Sequence, residues 1–173
     1  KGYVLEFGHL SRDKGTDTLL EVAKKMPNTE FVFIGYGPST DKMKDIPNVK
    51  YLGFKTGEEL YRIIAEAAIS VCPSEWYENC PYSVMESVLL GTPVVGSKMG
   101  GIPELIEPGK TGELFEAGNV EELMKAIQKI LHTSDTLEKY TDNCKMVQYE
   151  TTESYYEKLI RIYQGWKPEN RLY

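Results

Sequence analysis

The 173-residue sequence is poor in the side chains that metal and nucleophile chemistry usually draws on. It has two histidines, His9 and His132, far apart in the chain, and three cysteines, Cys72, Cys80 and Cys144. The cysteines are not spaced as metal pairs, nothing suggests a zinc site, and a Ser-His-Asp triad has little to draw on. A small, odd cysteine count reads as reduced thiols in a cytosolic setting rather than a disulfide framework. An excess of positive charge is also absent, because 20 Lys and Arg against 26 Asp and Glu leave a net charge of −6. That excludes nucleic-acid binding driven by bulk electrostatics while leaving room for a local basic pocket. No apolar run reaches the roughly 18 residues of a membrane span. No signal peptide is visible, and the chain opens directly on "KGYVLEFG", as a fragment of a longer protein would.

What is present is an ordinary globular composition, with 41% hydrophobic and 27% charged residues, enough to bury a core. Short apolar runs alternate with longer helical patterns. Strands are expected at 3–8, 30–35, 49–54, 69–73, 93–97 and 111–116. Helices are expected at 15–26, with Thr16 or Asp17 near the cap, and at 57–68, 81–91 and 120–131. "GIPELI" reads as a single helical turn. The strand runs are nearly continuous in apolar residues, as when both faces of a sheet are covered. The alternation predicts an α/β fold with a doubly wound parallel sheet over residues 1–133. From Ser134 onward strand signals stop. The stretch 134–173 reads as a helical C-terminal appendage, its last helix carrying Tyr155, Tyr156, Leu159, Ile160 and Tyr163 at helical spacing. That tyrosine stripe is read as core or as a domain-packing surface.

Ligands of such sheets sit beyond the C-terminal strand ends, which points to loops 8–15, 35–40, 53–57, 73–82 and 97–103. Three motif fragments there and nearby fall short. "GYGPST" begins like a dinucleotide fingerprint but ends on Thr40. "PGKTG" has Glu104 where a P-loop needs glycine, and it precedes a strand. Gly100–Gly101 is a flexible turn or a place where a ligand approaches the backbone.

Two stretches carry more. In "WYENCPYSVMES" (76–87), Pro81 suits the first turn of a helix, and Asn79 is a candidate cap. That helix start suits a phosphate. Glu78 lies in the preceding loop and faces the crevice. Glu86 lies inside the helix among Val84, Met85, Val88 and Leu89, where a carboxylate is costly unless it accepts hydrogen bonds. Alternatively, Glu86 is simply solvated and Glu78 helps to cap. In "FGHLSRDKG" (7–15), Arg12 and Lys14 are either solvated loop cations or neutralise a diphosphate.

Taken in order, "FGHLSRDKG", "FVFIGYGP", "VKYLGF", "VCPSEWYENCPYSVMESVLLGTPVVGSKMGGIPELI" and "GKTGELF" resemble retaining glycosyltransferases of the GT-B fold (group 1, or family 4, type). The resemblance covers about residues 4–131 and is to the C-terminal, Rossmann-like donor-binding half. It implies an enzyme, a retaining hexosyltransferase, that uses a nucleotide-diphosphate sugar, UDP- or GDP-linked, as donor and needs neither cofactor nor metal.

Glu78 and Glu86 match the family's E-x7-E motif. Glu78 would contact the donor hexose or stabilise charge at its anomeric carbon, and Glu86 would accept from the ribose hydroxyls. Lys14 matches the lysine on the diphosphate. The amides around Asn79, Cys80, Pro81, Tyr82 and Ser83 would meet sugar or phosphate. Gly8 opens the first loop, and Gly35, Gly37, Leu52 and Phe54 would border the base. Two positions depart from the family. His9 stands where arginine is usual, with Arg12 as a candidate substitute, and Pro81 replaces a glycine and removes a backbone donor.

The resemblance further implies an N-terminal half that brings a glycan or lipid-linked acceptor. The chain alone is then expected to bind nucleotide but transfer little sugar. It also implies a cytoplasmic protein, peripheral at the membrane only through that other half. The alternatives are a non-catalytic nucleotide-sugar-binding module and a sugar-nucleotide epimerase of related fold.

Overall fold

The computed structural model describes residues 2–165. Trp166 and the rest of the expected appendage lie outside the described residues. Six parallel strands form one sheet: β1 (Val4–His9), β2 (Phe31–Tyr36), β3 (Val49–Tyr51), β4 (Ile69–Cys72), β5 (Val94–Ser97) and β6 (Gly112–Phe115). Their order across the sheet is β3-β2-β1-β4-β5-β6. This is a Rossmann-like doubly wound sheet, as the alternation of elements predicts.

The helices are α1 (Thr16–Lys25), α2 (Gly57–Glu66), α3 (Tyr82–Leu89), α4 (Ile102–Leu105), α5 (Val120–Leu131), α6 (Ser134–Lys145) and α7 (Thr152–Tyr163). A short 3-10 helix (Pro38–Met43) follows β2, where sequence periodicity is too brief to announce it. The expected strand over 49–54 ends at Tyr51, and Leu52 and Phe54 stand exposed beyond it.

Strand alternation sends successive side chains to opposite faces. Val4, Phe31, Phe33, Ile69, Val71, Val95 and Phe115 join Leu19, Val22, Leu123 and Ile127 in one continuous layer under α1 and α5. The opposite face is divided. Leu5, Val32 and Ile34 pack with Ile63 and Ile64 of α2. Val84 and Val88 of α3 form a separate cluster with Val94, Ile102, Ile106 and Cys144. Polar contacts lie beside the divide. Ser70 Oγ donates to Ser87 Oγ at 2.6 Å, and Thr92 Oγ1 donates to the Ile64 carbonyl at 2.7 Å.

The join between the two halves is the shortest ladder. β1 and β4 pair only at Val4–Ile69 and Leu5–Ser70, whereas β1 and β2 pair over six positions, from Val4–Phe31 to His9–Tyr36. Beyond Leu5 and Ser70 the two central strands no longer pair. That is the point where strand order reverses and where a crevice forms in open α/β sheets.

The two tail helices differ. In α6, Tyr140, Thr141 and Cys144 are buried, and Thr133 caps its N-terminus. In α7 none of the described residues is buried, and Tyr155, Tyr156, Ile162 and Tyr163 are exposed. α6 is thus packed on the domain, and the tyrosine stripe of α7 is exposed among the described residues rather than part of the core. No helix among the described residues is long and apolar enough to cross a membrane.

Candidate nucleotide-sugar site

A cavity of about 290 Å³ occupies the crevice between the splayed ends of β1 and β4. Glu6 and Gly8 line it from β1, Cys72, Pro73 and Ser74 from the end of β4, and Lys14 and Glu78 from the following loops. Pro81, Ser83 and Glu86 close it from α3. Strand–turn–helix geometry thus gathers side chains more than seventy residues apart.

Lys14 and Glu78 bridge the two loops. Lys14 Nζ lies 2.6 Å from Glu78 Oε1, with the side chains 31% and 19% exposed. The same oxygen accepts from Ser74 Oγ at 2.9 Å, and Ser97 Oγ donates to the Ser74 carbonyl at 2.6 Å. The Glu78 backbone is held as firmly, because Gly101 N–H donates to its carbonyl at 2.7 Å. A Cβ on Gly100 would come within 2.2 Å of that carbonyl oxygen, and one on Gly101 within 2.1 Å of the Asn79 oxygen. The paired glycines therefore admit the chain's own loop to their backbone.

α3 starts one residue later than the proline suggested. Pro81 is the N-cap residue, with extended backbone, and no side chain caps the helix. Asn79 is exposed and does not cap it. No side-chain acceptor meets the first-turn amides, of which Val84 N–H donates to the Pro81 carbonyl at 3.1 Å, and Pro81 and Ser83 line the cavity at this helix start. Glu86 is half-buried. Its carboxyl is shifted upward by desolvation, and no hydrogen-bond or ion-pair partner for it is found among the described residues.

A second cavity, of about 260 Å³, adjoins the first at Phe7 and Gly8 and runs along Gly35, Tyr36 and Phe54. Its wall is aromatic. The His9 and Tyr36 rings meet edge-on at 5.5 Å, and Tyr36 and Phe54 lie 6.0 Å apart. A cavity with a cation and three carboxyl groups beside a helix start, opening onto an aromatic slot, can take anionic oxygens, hydroxyls and a planar ring side by side.

Of the expected residues, the first cavity brings together Gly8, Lys14, Glu78, Pro81, Ser83 and Glu86, and the second adds Gly35 and Phe54. Asn79, Cys80 and Tyr82 adjoin the first in sequence and are exposed. Gly37 and Leu52 line neither. Arg12 does not join Lys14. It lines a different cavity with Asp17, Thr18, Lys42 and Glu75. Arg12, the candidate substitute for the family arginine, thus stands apart from the Lys14 cavity in this structure.

Glu6 is the cavity residue that sequence reasoning passed over. It is 4% exposed, and burial pushes its carboxyl up to about 8 despite a hydrogen bond from Thr16 Oγ1 at 2.7 Å. The signal was a lone acid inside the apolar run "YVLEFG". A carboxyl whose folded-state pKa is raised favours the folded state fully below its ordinary value of 4.5, and that advantage is lost as pH climbs to about 8. Stability to urea should therefore fall by a few kcal/mol across that window. The Glu6→Gln variant should lose most of this slope, and an equal slope in both proteins would assign it elsewhere.

Residues 1–147 match the family model described as "Glycosyl transferases group 1". The sulfoquinovosyl transferase of Arabidopsis thaliana is 34% identical over 145 residues, covering 80% of this chain and 28% of that protein. The amylovoran biosynthesis glycosyltransferase of Erwinia amylovora is 32% identical over 143 residues, covering 73% and 35%. The chain thus spans about a third of the length of these curated relatives. Among solved structures, Anabaena HepE in complex with UDP superposes with a TM-score of 0.81 at 22% identity, over 95% of this chain and 49% of that one. Such a likeness carries the fold. With the family match extending over most of its length, the chain belongs to the group 1 glycosyl transferases.

Proposed function

We propose that the chain is the donor-binding half of a retaining hexosyltransferase, holding a nucleotide-diphosphate sugar between β1 and β4. The observation that carries this is the single crevice in which Lys14, Glu78, Ser83 and Glu86 converge. Glu86 accepts hydrogen bonds from two ribose hydroxyls, which offsets the cost of holding its carboxylate half out of water. The base lies in the aromatic slot beside Tyr36 and Phe54. The diphosphate rests on Lys14 and the uncapped start of α3, where partial positive charge favours it. As the glycosidic bond breaks, the departing nucleotide gains negative charge, and the same groups stabilise it without a metal. Glu78, fixed by Lys14 and Ser74, faces the sugar end and stabilises positive charge at the anomeric carbon.

UDP and UDP-glucose occur in complexes of the Anabaena neighbour, which supports a uridine donor without excluding GDP-sugars. A glycan or lipid-linked acceptor would arrive on a further N-terminal half, and residues 134–173 would complete the donor domain. Calorimetric titration with UDP and GDP tests the reading. Glu86→Ala should weaken binding at least ~10-fold, since two hydrogen bonds to a charged acceptor are lost. An unchanged affinity would sink the ribose assignment.

A further inference from the structure

We infer that Glu78 is a specificity-determining residue that separates the donor from the leaving nucleotide: its carboxylate repels the terminal phosphate of a free nucleoside diphosphate and tolerates that phosphate when a sugar caps it. This rests on the nucleotide reading above and goes beyond it, because it concerns the charge of Glu78 before and after transfer rather than its place at the anomeric carbon.

The cavity between β1 and β4 is short of positive charge. Among the described residues that line it, Lys14 is the one cation, against the carboxyl groups of Glu6, Glu78 and Glu86. Arg12, from the same loop as Lys14, lines a different cavity. Lys14 Nζ lies 2.6 Å from Glu78 Oε1, so its charge is already met. A nucleotide sugar carries one negative charge on each phosphate. A free nucleoside diphosphate carries about one more at pH 7.5, because its terminal phosphate loses a second proton near pH 6. That further charge finds a neutral ion pair rather than a cation. In a half-solvated site, one more like charge at roughly 6 Å from a carboxylate changes affinity by about three- to tenfold.

Glu78 is held in place to exert this effect. Ser74, 2% exposed, donates to Oε1 at 2.9 Å. Ser97 Oγ donates to the Ser74 carbonyl at 2.6 Å, and Gly101 N–H donates to the Glu78 carbonyl at 2.7 Å. Oε1 is thus shared by Lys14 and Ser74. Oε2 has no hydrogen-bond partner among the described residues and is not sealed from solvent. It is the acceptor left for a sugar hydroxyl. With the sugar in place, Oε2 is paired and the excess phosphate charge is absent. On transfer the sugar passes to the acceptor, and the electron pair of the broken bond stays on the terminal phosphate oxygen. The new charge then faces a fixed carboxylate that has lost its hydroxyl partner. Release of the nucleotide is favoured by the residue that received the donor.

The experiment uses a probe that changes this charge alone. The chain is titrated calorimetrically at about pH 7.5 with UDP and with UDP methylated on its terminal phosphate, and in parallel with GDP and its methyl ester. The ester keeps base, ribose and diphosphate and lacks only the further charge. The unaltered chain should bind the ester at least as tightly as the free diphosphate. In Glu78→Gln, Lys14 is freed and the repulsion removed, so the free diphosphate should gain roughly three- to tenfold more affinity than the ester gains. A preference of the unaltered chain for the free diphosphate by more than about threefold overturns the inference, as does a gain in Glu78→Gln that differs between the two ligands by less than about threefold. Either result leaves the nucleotide reading standing. Absence of binding of every one of these nucleotides by both proteins overturns both. Should Glu78→Gln fail to fold, the ligand order in the unaltered chain decides alone.

Discussion

Gly15→Ala should destabilise the chain by about 2–5 kcal/mol, read from urea unfolding. Two costs combine. Gly15 has φ +77, a left-handed conformation that costs an L-residue roughly 1–2 kcal/mol. A Cβ there would also stand 1.9 Å from the Pro73 carbonyl oxygen and 2.5 Å from its carbon, both backbone atoms with little room to yield. Overpacking of that kind adds about 1–3 kcal/mol. Gly109→Ala separates the two, since Gly109 has φ +79 with nothing within 4 Å of a new Cβ. It should cost only about 1–2 kcal/mol. Equal costs at the two positions would show that the close approach of the β1–α1 and β4–α3 loops is not needed. Because that approach sets Lys14 against Glu78, Gly15→Ala should weaken nucleotide binding as well.

The second large effect is on transfer. Under the proposed function, with Glu78 facing the anomeric carbon, Glu78→Gln should lower kcat by roughly 10²- to 10³-fold, the usual cost of removing one group aimed at developing charge. Glutamine keeps the size and an acceptor for Ser74 Oγ, so the loop should hold its course through the Gly101–Glu78 backbone bond. What is lost is the charge. A fall in kcat with a smaller change in KM assigns Glu78 to the transition state. A rise in KM with kcat unchanged would reduce it to an anchor for Lys14.

The fold was legible where residues repeat a period. The six strands are apolar runs covered on both faces, and each came within a few residues of its expected place. β3 was overextended by its assigned end at Tyr51, although Leu52 N–H still donates to the Phe33 carbonyl and Gly35 N–H to the Gly53 carbonyl, so that the apolar pattern of "YLGF" follows the sheet edge two residues further. α7 is present as a helix, with its tyrosine stripe exposed among the described residues. Its tyrosine stripe has helical spacing, but periodicity shows only that a helix has an apolar face, not that anything among the described residues covers it. In the site, order along the chain was enough to bring Lys14, Glu78 and Glu86 to one crevice, whereas the Lys14–Glu78 ion pair came only from the structure. It could not give the direction in which Arg12 leaves its loop, since loop residues follow no period. Nor could it reveal that Pro81 would take the cap position from Asn79. Glu6 was visible as an acid among apolar residues. Its meaning required knowing that β1 and β4 part at the preceding residue.

That parting also bears on how the molecule opens. β3, β2 and β1 come from residues 4–51 and β4, β5 and β6 from 69–115, so each half-sheet is one contiguous stretch of chain. They are joined by two residue pairs of ladder and by a core that is continuous on one face only. The sheet therefore has a seam, and partial unfolding that separates its halves should begin there rather than at its edges. A nucleotide that touches Lys14 on one side and Ser83 and Glu86 on the other would act as a staple across the seam. Donor recognition and the cohesion of the domain are then one set of contacts, and the protein is most firmly closed when it is loaded.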